Sequence, residues 1–170
     1  TPLYSSAASD VYKRQKKGCV LMDALKTAYA TAYSRLLLLA KEGKIGEVYS
    51  VDATCTSLRP IAEDAWDSIC DWGPTAMLPI FNILGNGYKT KNMVSHIDDE
   101  GHDQFTKITF LYDHAVASAT VAKGVKSEGE LIVSGTKGYI YVPAPWWKTD
   151  YFEIRYEDTC LLYTSPSPRD

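Results

Sequence analysis

Two imidazoles and four carboxylates fall within the eight residues His96-Ile97-Asp98-Asp99-Glu100-Gly101-His102-Asp103, a concentration of groups that can hold a divalent cation. Their spacing matches neither a zinc-protease helix nor a calcium-binding loop. The segment also lies between two stretches of strand character, so it reads as a solvated hairpin tip, and no metal site is assigned. Asp71 stands just before Gly73-Pro74, where helical spacing begins. A carboxylate there can cap free amides, and it can also point into a cleft at the mouth of the helix. On residue type and position alone, capping is the favoured role. Cys70, beside it, would be a nucleophile only with a base nearby. Cys19, Cys55 and Cys70 all read as buried, inert thiols. Gly85-Asn86-Gly87 is the nearest approach to a dinucleotide loop, but it follows a helix and lacks the third glycine. Neither a Gly-x-Ser-x-Gly elbow nor a phosphate-binding P-loop occurs.

The elements that must position these groups follow from periodicity. Cys19 to Met22 is a short apolar run that suits a buried strand. Ala30 to Glu42 has helical spacing, with Lys41 in its last turn and Gly43 at the left-handed position after it. Tyr49, Val51, Ala53 and Cys55 alternate with polar residues across Glu47 to Ser57, the period of a half-buried strand. Arg59 to Cys70 reads as a loop. Pro74 to Leu84 reads as a helix ending at Gly85, with Pro79 expected to kink it or to tighten its first turns. Strands follow: Phe105 to Tyr112 and Ala115 to Val121 about Asp113-His114, Leu131 to Ser134 and Tyr139 to Val142 about Gly135-Thr136-Lys137-Gly138, and then Phe152 to Tyr156.

Strand, helix, strand, helix and then a run of hairpins predict an α+β domain. Its mainly antiparallel sheet is open on one face and carries the helices on the other. Tyr139, Tyr141, Trp146, Trp147, Tyr151 and Tyr156 are many aromatics for a wet face. They are read either as core residues or as a self-association surface, the latter making the chain a homo-oligomer through its open face.

Composition excludes several classes. The 170 residues carry 18 basic and 21 acidic side chains, a net charge of −3 that predicts no nucleic-acid partner. The longest aliphatic run, Leu36 to Ala40, is too short to span a bilayer. Four cysteines without Cys-x-x-Cys spacing match the reduced thiols of an intracellular protein, so a cytoplasmic location is expected. The two ends differ from the middle. Ser5 to Gln15 (SSAASDVYKRQ) and Cys160 to Asp170 (CLLYTSPSPRD) resemble translated sequencing-adapter DNA. Residues 1–15 and 160–170 are therefore expected to be non-native tails, to be set aside before fold reasoning.

Several blocks of the remaining sequence resemble the second half of the Gfo/Idh/MocA oxidoreductases, the glucose-fructose oxidoreductase and inositol dehydrogenase family. Val20 to Tyr29 (VLMDALKTAY) resembles the last strand of that family's nucleotide domain and its crossover into the second domain. Leu36 to Val51 (LLLLAKEGKIGEVYSV), the most specific block, resembles the following helix, Gly-x-Ile-Gly turn and first sheet strand. Asp71 to Gly85 resembles the Asp-x-Gly-x-His helix that faces the nicotinamide, and Gly129 to Val142 (GELIVSGTKGYIYV) resembles the late G-T-x-G hairpin.

The resemblance implies residues 16–25 as a remnant of the nucleotide domain and 26–159 as a substrate and oligomerisation domain. It implies a parent NAD- or NADP-dependent enzyme that moves hydride between nicotinamide and a hydroxyl-bearing carbon of a sugar, cyclitol or related polyol. The family's glycine loop and Glu-Lys-Pro lysine would precede Lys16, so this chain alone is expected to be inactive and to bind no cofactor. Asp71 fits the family's aspartate and Thr75 occupies its histidine position. Threonine can donate and accept a hydrogen bond but does not titrate near neutral pH. Asp71 and Thr75 are thus the candidate catalytic residues, and Lys26, Tyr29 and Trp72 the candidate substrate contacts. The alternative that Thr75 leaves open is a non-catalytic binding or oligomerisation module with the same sheet.

Overall fold

The computed structural model describes residues 16–17, 25–61, 66–148, 150–158 and 162–164. Cys19 to Met22, expected as a strand, lies outside the described residues. A short 3-10 helix, Lys26–Tyr29, leads into α1, Thr31–Lys41. The strand β1, Val48–Ser57, and the helix α2, Ser68–Leu84, follow. The chain then runs through β2 (Thr90–Ile97), β3 (Asp103–Leu111), β4 (Val116–Lys123), β5 (Leu131–Gly135), β6 (Gly138–Val142), β7 (Glu153–Tyr156) and β8 (Leu162–Thr164). These form one sheet in the order β2-β3-β4-β1-β5-β6-β7-β8. Its neighbours are antiparallel except for the parallel pair β1 and β4. The fold is the expected α+β arrangement, with the helices on one face. Leu162–Thr164, within the segment expected to be a non-native tail, pairs with β7 as the edge strand.

Period-two patterning builds the covered face. Val51 lies between Ala117 and Val133, and Ala53 between Ala119 and Leu131, all buried beneath the helices. The small side chains of Ala53, Ala117 and Ala119 leave room for Ala76 and Ile80 of α2, both fully buried. On the other face Ser118 and Ser50 donate to the carboxylate of Asp52, the latter at 2.5 Å. No helix among the described residues is long and apolar enough to cross a membrane.

The turn after α1 docks on the β5–β6 hairpin. Lys137 N–H bonds Ile45 O at 2.9 Å, and Thr136 Oγ1 accepts from Glu47 N–H at 3.1 Å. Gly46 has φ +79°, and a Cβ at Gly135 would stand 2.3 Å from Ile45 O, so the contact needs both glycines.

Three expectations are corrected. First, α2 begins at Ser68 and runs through both Pro74 and Pro79, so the last residues of the expected loop are helical. Asp71 consequently lies inside the first turn, its N–H bonded to Asp67 O at 3.1 Å, and does not cap the helix.

Second, the capping group is Asp103, a residue that sequence alone assigns to a solvated tip. A bulge between His96 and Ile97 shifts the β2–β3 register and turns Asp103 onto the covered face. There it is buried. Its Oδ2 accepts from Ile69 N–H at 3.0 Å, from Thr106 Oγ1 at 2.9 Å and from the Ser68 hydroxyl. The rest of the acidic segment is a turn, in which Asp98 Oδ1 accepts from His102 N–H at 2.8 Å and Glu100 N–H at 3.0 Å. The His102 amide in particular holds the Asp98 carboxyl below its ordinary range.

Third, the aromatics do not form one set, and the two readings divide among them. Trp146 is buried beside Tyr33, and Trp147 packs on Trp72. Tyr156 follows the phase of buried Ile154 and donates to Lys44 O at 3.3 Å. Tyr139 and Tyr141 do flank Arg155, whose guanidinium lies 4.5 Å from the Tyr141 ring centroid and pairs with Glu153 at 2.6 Å.

Replacing Asp103 by alanine strands the Ser68 hydroxyl and the Ile69 amide and leaves the Thr106 hydroxyl only its bond to Ser95. Urea denaturation is expected to show about 3 kcal/mol of lost stability for Asp103→Ala, and a smaller loss for Asp98→Ala in the turn.

Candidate functional site

Asp71, Trp72 and Thr75 share the amino-terminal half of α2, where the helix crosses the carboxyl end of β4. Asp71 and Thr75 are one helical turn apart on the same face. Asp71 is 45% exposed, and its Oδ2 lies 3.0 Å from Nζ of Lys123, whose own side chain is only 7% exposed. Lys123 also donates to Trp66 O at 2.7 Å. A negative side chain in the first turn of a helix is favoured by the helix dipole, so Asp71 is stabilised from two sides. Thr75 is half-buried.

Trp72 is half-buried with its ring centroid 5.0 Å from that of Trp147, and its indole N–H has no hydrogen-bond partner among the described residues. Trp147 lies in the 3-10 turn Trp146–Lys148. That turn is fixed by Trp146, whose N–H bonds Gly129 O at 3.0 Å and whose indole N–H bonds Thr54 O at 3.1 Å. Gly129 itself lies against the Trp147 ring, with no room for a side chain. The carbonyl of Trp147 accepts from Thr27 Oγ1 at 3.0 Å, which ties the Lys26–Tyr29 turn to the same cluster. Lys26 and Tyr29 are exposed, Tyr29 to 66%, and neither bonds Asp71 among the described residues. The site is thus an exposed carboxylate anchored from below, a hydroxyl one turn away and an indole wall, a set that can bind and orient a hydroxylated ligand.

The sequence points neither to Lys123 nor to Thr27, and marks Trp147 only as one of several aromatics, not as part of the site. Lys123 had a legible signal, since it continues the buried phase of Ala117, Ala119 and Val121. Nothing local marks Trp147 or Thr27, which meet 120 residues apart. Among the described residues no group of three or more His, Cys, Asp or Glu is placed to hold a metal ion. No glycine turn between a strand and a helix offers a dinucleotide cradle there either.

The thiols divide. Cys55 is buried, and burial pushes its ionisation far above the ordinary thiol range. Cys70, expected to be buried, is exposed because the helix starts early enough to turn it outward, and Cys19 lies outside the described residues.

No family model and no curated protein matches the chain. Solved structures do. The 3-ketoreductase KijD10 from Actinomadura kijaniata, in complex with TDP-benzene and NADP, is 16% identical with a TM-score of 0.73, over 90% of this chain and 50% of that one. The aldose-aldose oxidoreductase from Caulobacter crescentus, complexed with glycerol, is 16% identical with a TM-score of 0.75, over 94% and 51%. An NAD binding oxidoreductase from Klebsiella pneumoniae is 14% identical with a TM-score of 0.73, over 95% and 50%. The chain shares the fold found in these oxidoreductases and spans about half the length of each.

Peptide mapping after brief treatment of the native chain with a maleimide is expected to find Cys70 labelled and Cys55 unlabelled, with Cys55 reacting only after denaturation.

Proposed function

We propose that residues 26–159 are the substrate and oligomerisation half of an NAD(P)-dependent oxidoreductase of the Gfo/Idh/MocA type acting on a sugar, cyclitol or related polyol. In this reading residues 16–25 are a remnant of the nucleotide domain, and residues 1–15 and 160–170 are non-native. One observation carries it: the fold shared with three oxidoreductases sets an exposed, anchored Asp71 beside Thr75 and Trp72 on α2, the helix where the family resemblance expects its Asp-x-Gly-x-His motif.

Cofactor binding is assigned to another part of the parent protein, as the family resemblance implies. What this chain supplies is contact with the ligand's hydroxyl groups. Asp71 accepts a hydrogen bond from the reacting hydroxyl and helps hold its proton. Thr75, half-buried one turn on, donates to or accepts from a second hydroxyl but moves no proton near neutral pH. Trp72 offers an apolar wall to a sugar ring, while Lys26 and Tyr29 stand at the rim. The exposed Val94, Leu111, Val116 and Tyr139 of the open face are assigned to contact with a second copy. A non-catalytic binding module is the second reading, favoured by Thr75 in place of a titrating histidine.

In the parent protein, cofactor reduction driven by polyols or sugars is the first measurement. Asp71→Asn is expected to lower kcat roughly a hundredfold or more. Thr75→Val is expected to raise KM for the polyol about tenfold, as loss of one hydrogen bond worth ~1.4 kcal/mol would. Unchanged turnover in both variants refutes the assignment. Polyol binding without turnover favours the binding module.

A further inference from the structure

Lys123 is the one buried lysine among the described residues, and neither burial nor helix electrostatics favours it there. It continues the row of Ala119 and Val121 beneath α2, beside the positive end of that helix's dipole. Desolvating an ammonium is costly, and a methionine or leucine would fill the space without that cost. Its compensation is two oxygens, Trp66 O at 2.7 Å and Asp71 Oδ2 at 3.0 Å. Asp71 does not need the lysine for its own solvation, because its side chain is 45% exposed. Nor is Asp71 occupied with the helix end, because Asp103 already bonds the Ile69 amide. What the lysine adds is a fixed carboxylate plane.

We infer that Lys123 is a positioning residue for Asp71. It clamps Oδ2 from inside the fold, so that Oδ1, which no described residue bonds, is presented at the mouth of α2 toward a ligand hydroxyl. An unclamped carboxylate at the surface would rotate freely and reach the reacting geometry only part of the time. The inference rests on the reading of Asp71 as the group that meets the reacting hydroxyl.

The test uses the full-length parent enzyme carrying Lys123→Met, Asp71→Asn or both, with kcat, both KM values and Tm measured for each. Lys123→Met is expected to lower kcat about tenfold or more, to leave KM for the nicotinamide cofactor unchanged, and to leave Tm unchanged or raised. Added to Asp71→Asn, it is expected to cause no further loss of kcat, because the lysine acts only through that carboxylate. A Lys123→Met enzyme with normal kcat beside a crippled Asp71→Asn enzyme overturns the clamp and leaves the role of Asp71 standing. Equal losses from Lys123→Met in both backgrounds overturn it too, since the lysine would then act independently of Asp71. Normal kcat in Asp71→Asn, or no turnover by the unsubstituted parent, overturns the reading and the clamp together. Should Lys123→Met not fold, Lys123→Gln, which keeps a donor for Trp66 O without the charge, is judged by the same outcomes.

Discussion

At the start of α2 one buried carboxylate satisfies the end of a helix. Asp103 takes hydrogen bonds from the Ser68 and Thr106 hydroxyls and from the Ile69 amide, and Thr106 passes the network on to Ser95 of β2 at 2.8 Å. The first amides of a helix have no partner within it, so a group that bonds them from outside decides where the helix begins. Here that group stands on a strand 34 residues away. With the helix started at Ser68, Asp71 and Trp72 fall within its first turns, and Asp71 is free of capping.

Two ionic groups of opposite sign are therefore buried at the same end of the sheet, each with its own compensation. Asp103 faces three donors from two elements, α2 and its own strand β3, whereas Lys123 faces a carbonyl and a half-exposed carboxylate. Small side chains make both possible. Ala53, Ala117 and Ala119 let α2 approach the sheet closely, which brings the end of β4 within reach of Asp71. At the opposite end of the same strands, Gly46 and Gly135 let the turn after α1 meet the β5–β6 hairpin. The family-like blocks Leu36 to Val51 and Gly129 to Val142 are thus in contact, and their glycines are needed there for the closeness of that contact.

The indole cluster joins the two sides of the site. Trp146 fixes the turn, Trp147 rests on Trp72, and Thr27 bonds the Trp147 carbonyl. This arrangement explains why, of the two readings open to the aromatics, the tryptophans follow the core one. The 3-10 turn at Trp146–Lys148 departs from strand alternation, so the period of two that orders Tyr139 and Tyr141 says nothing about the tryptophans that follow.

Local pattern was enough for α1, for β1 and for the hairpins about Asp113-His114 and Thr136-Lys137, because alternation, helical spacing and turn chemistry act within a few residues. Asp71, Trp72 and Thr75 were nameable as candidates through resemblance, and their shared helix face follows from spacing alone. The rest depended on contacts between distant segments. The start of α2 required Asp103, and the burial of Asp103 required a bulge in the β2–β3 register. The parallel pairing of β1 with β4 carried Lys123 beneath Asp71, 52 positions earlier in the chain, and no local period encodes which strands become neighbours. Sequence determined which stretches alternate and which residues carry chemistry. Tertiary structure decided which charged groups meet, because an ion pair and a helix cap depend on distance in space.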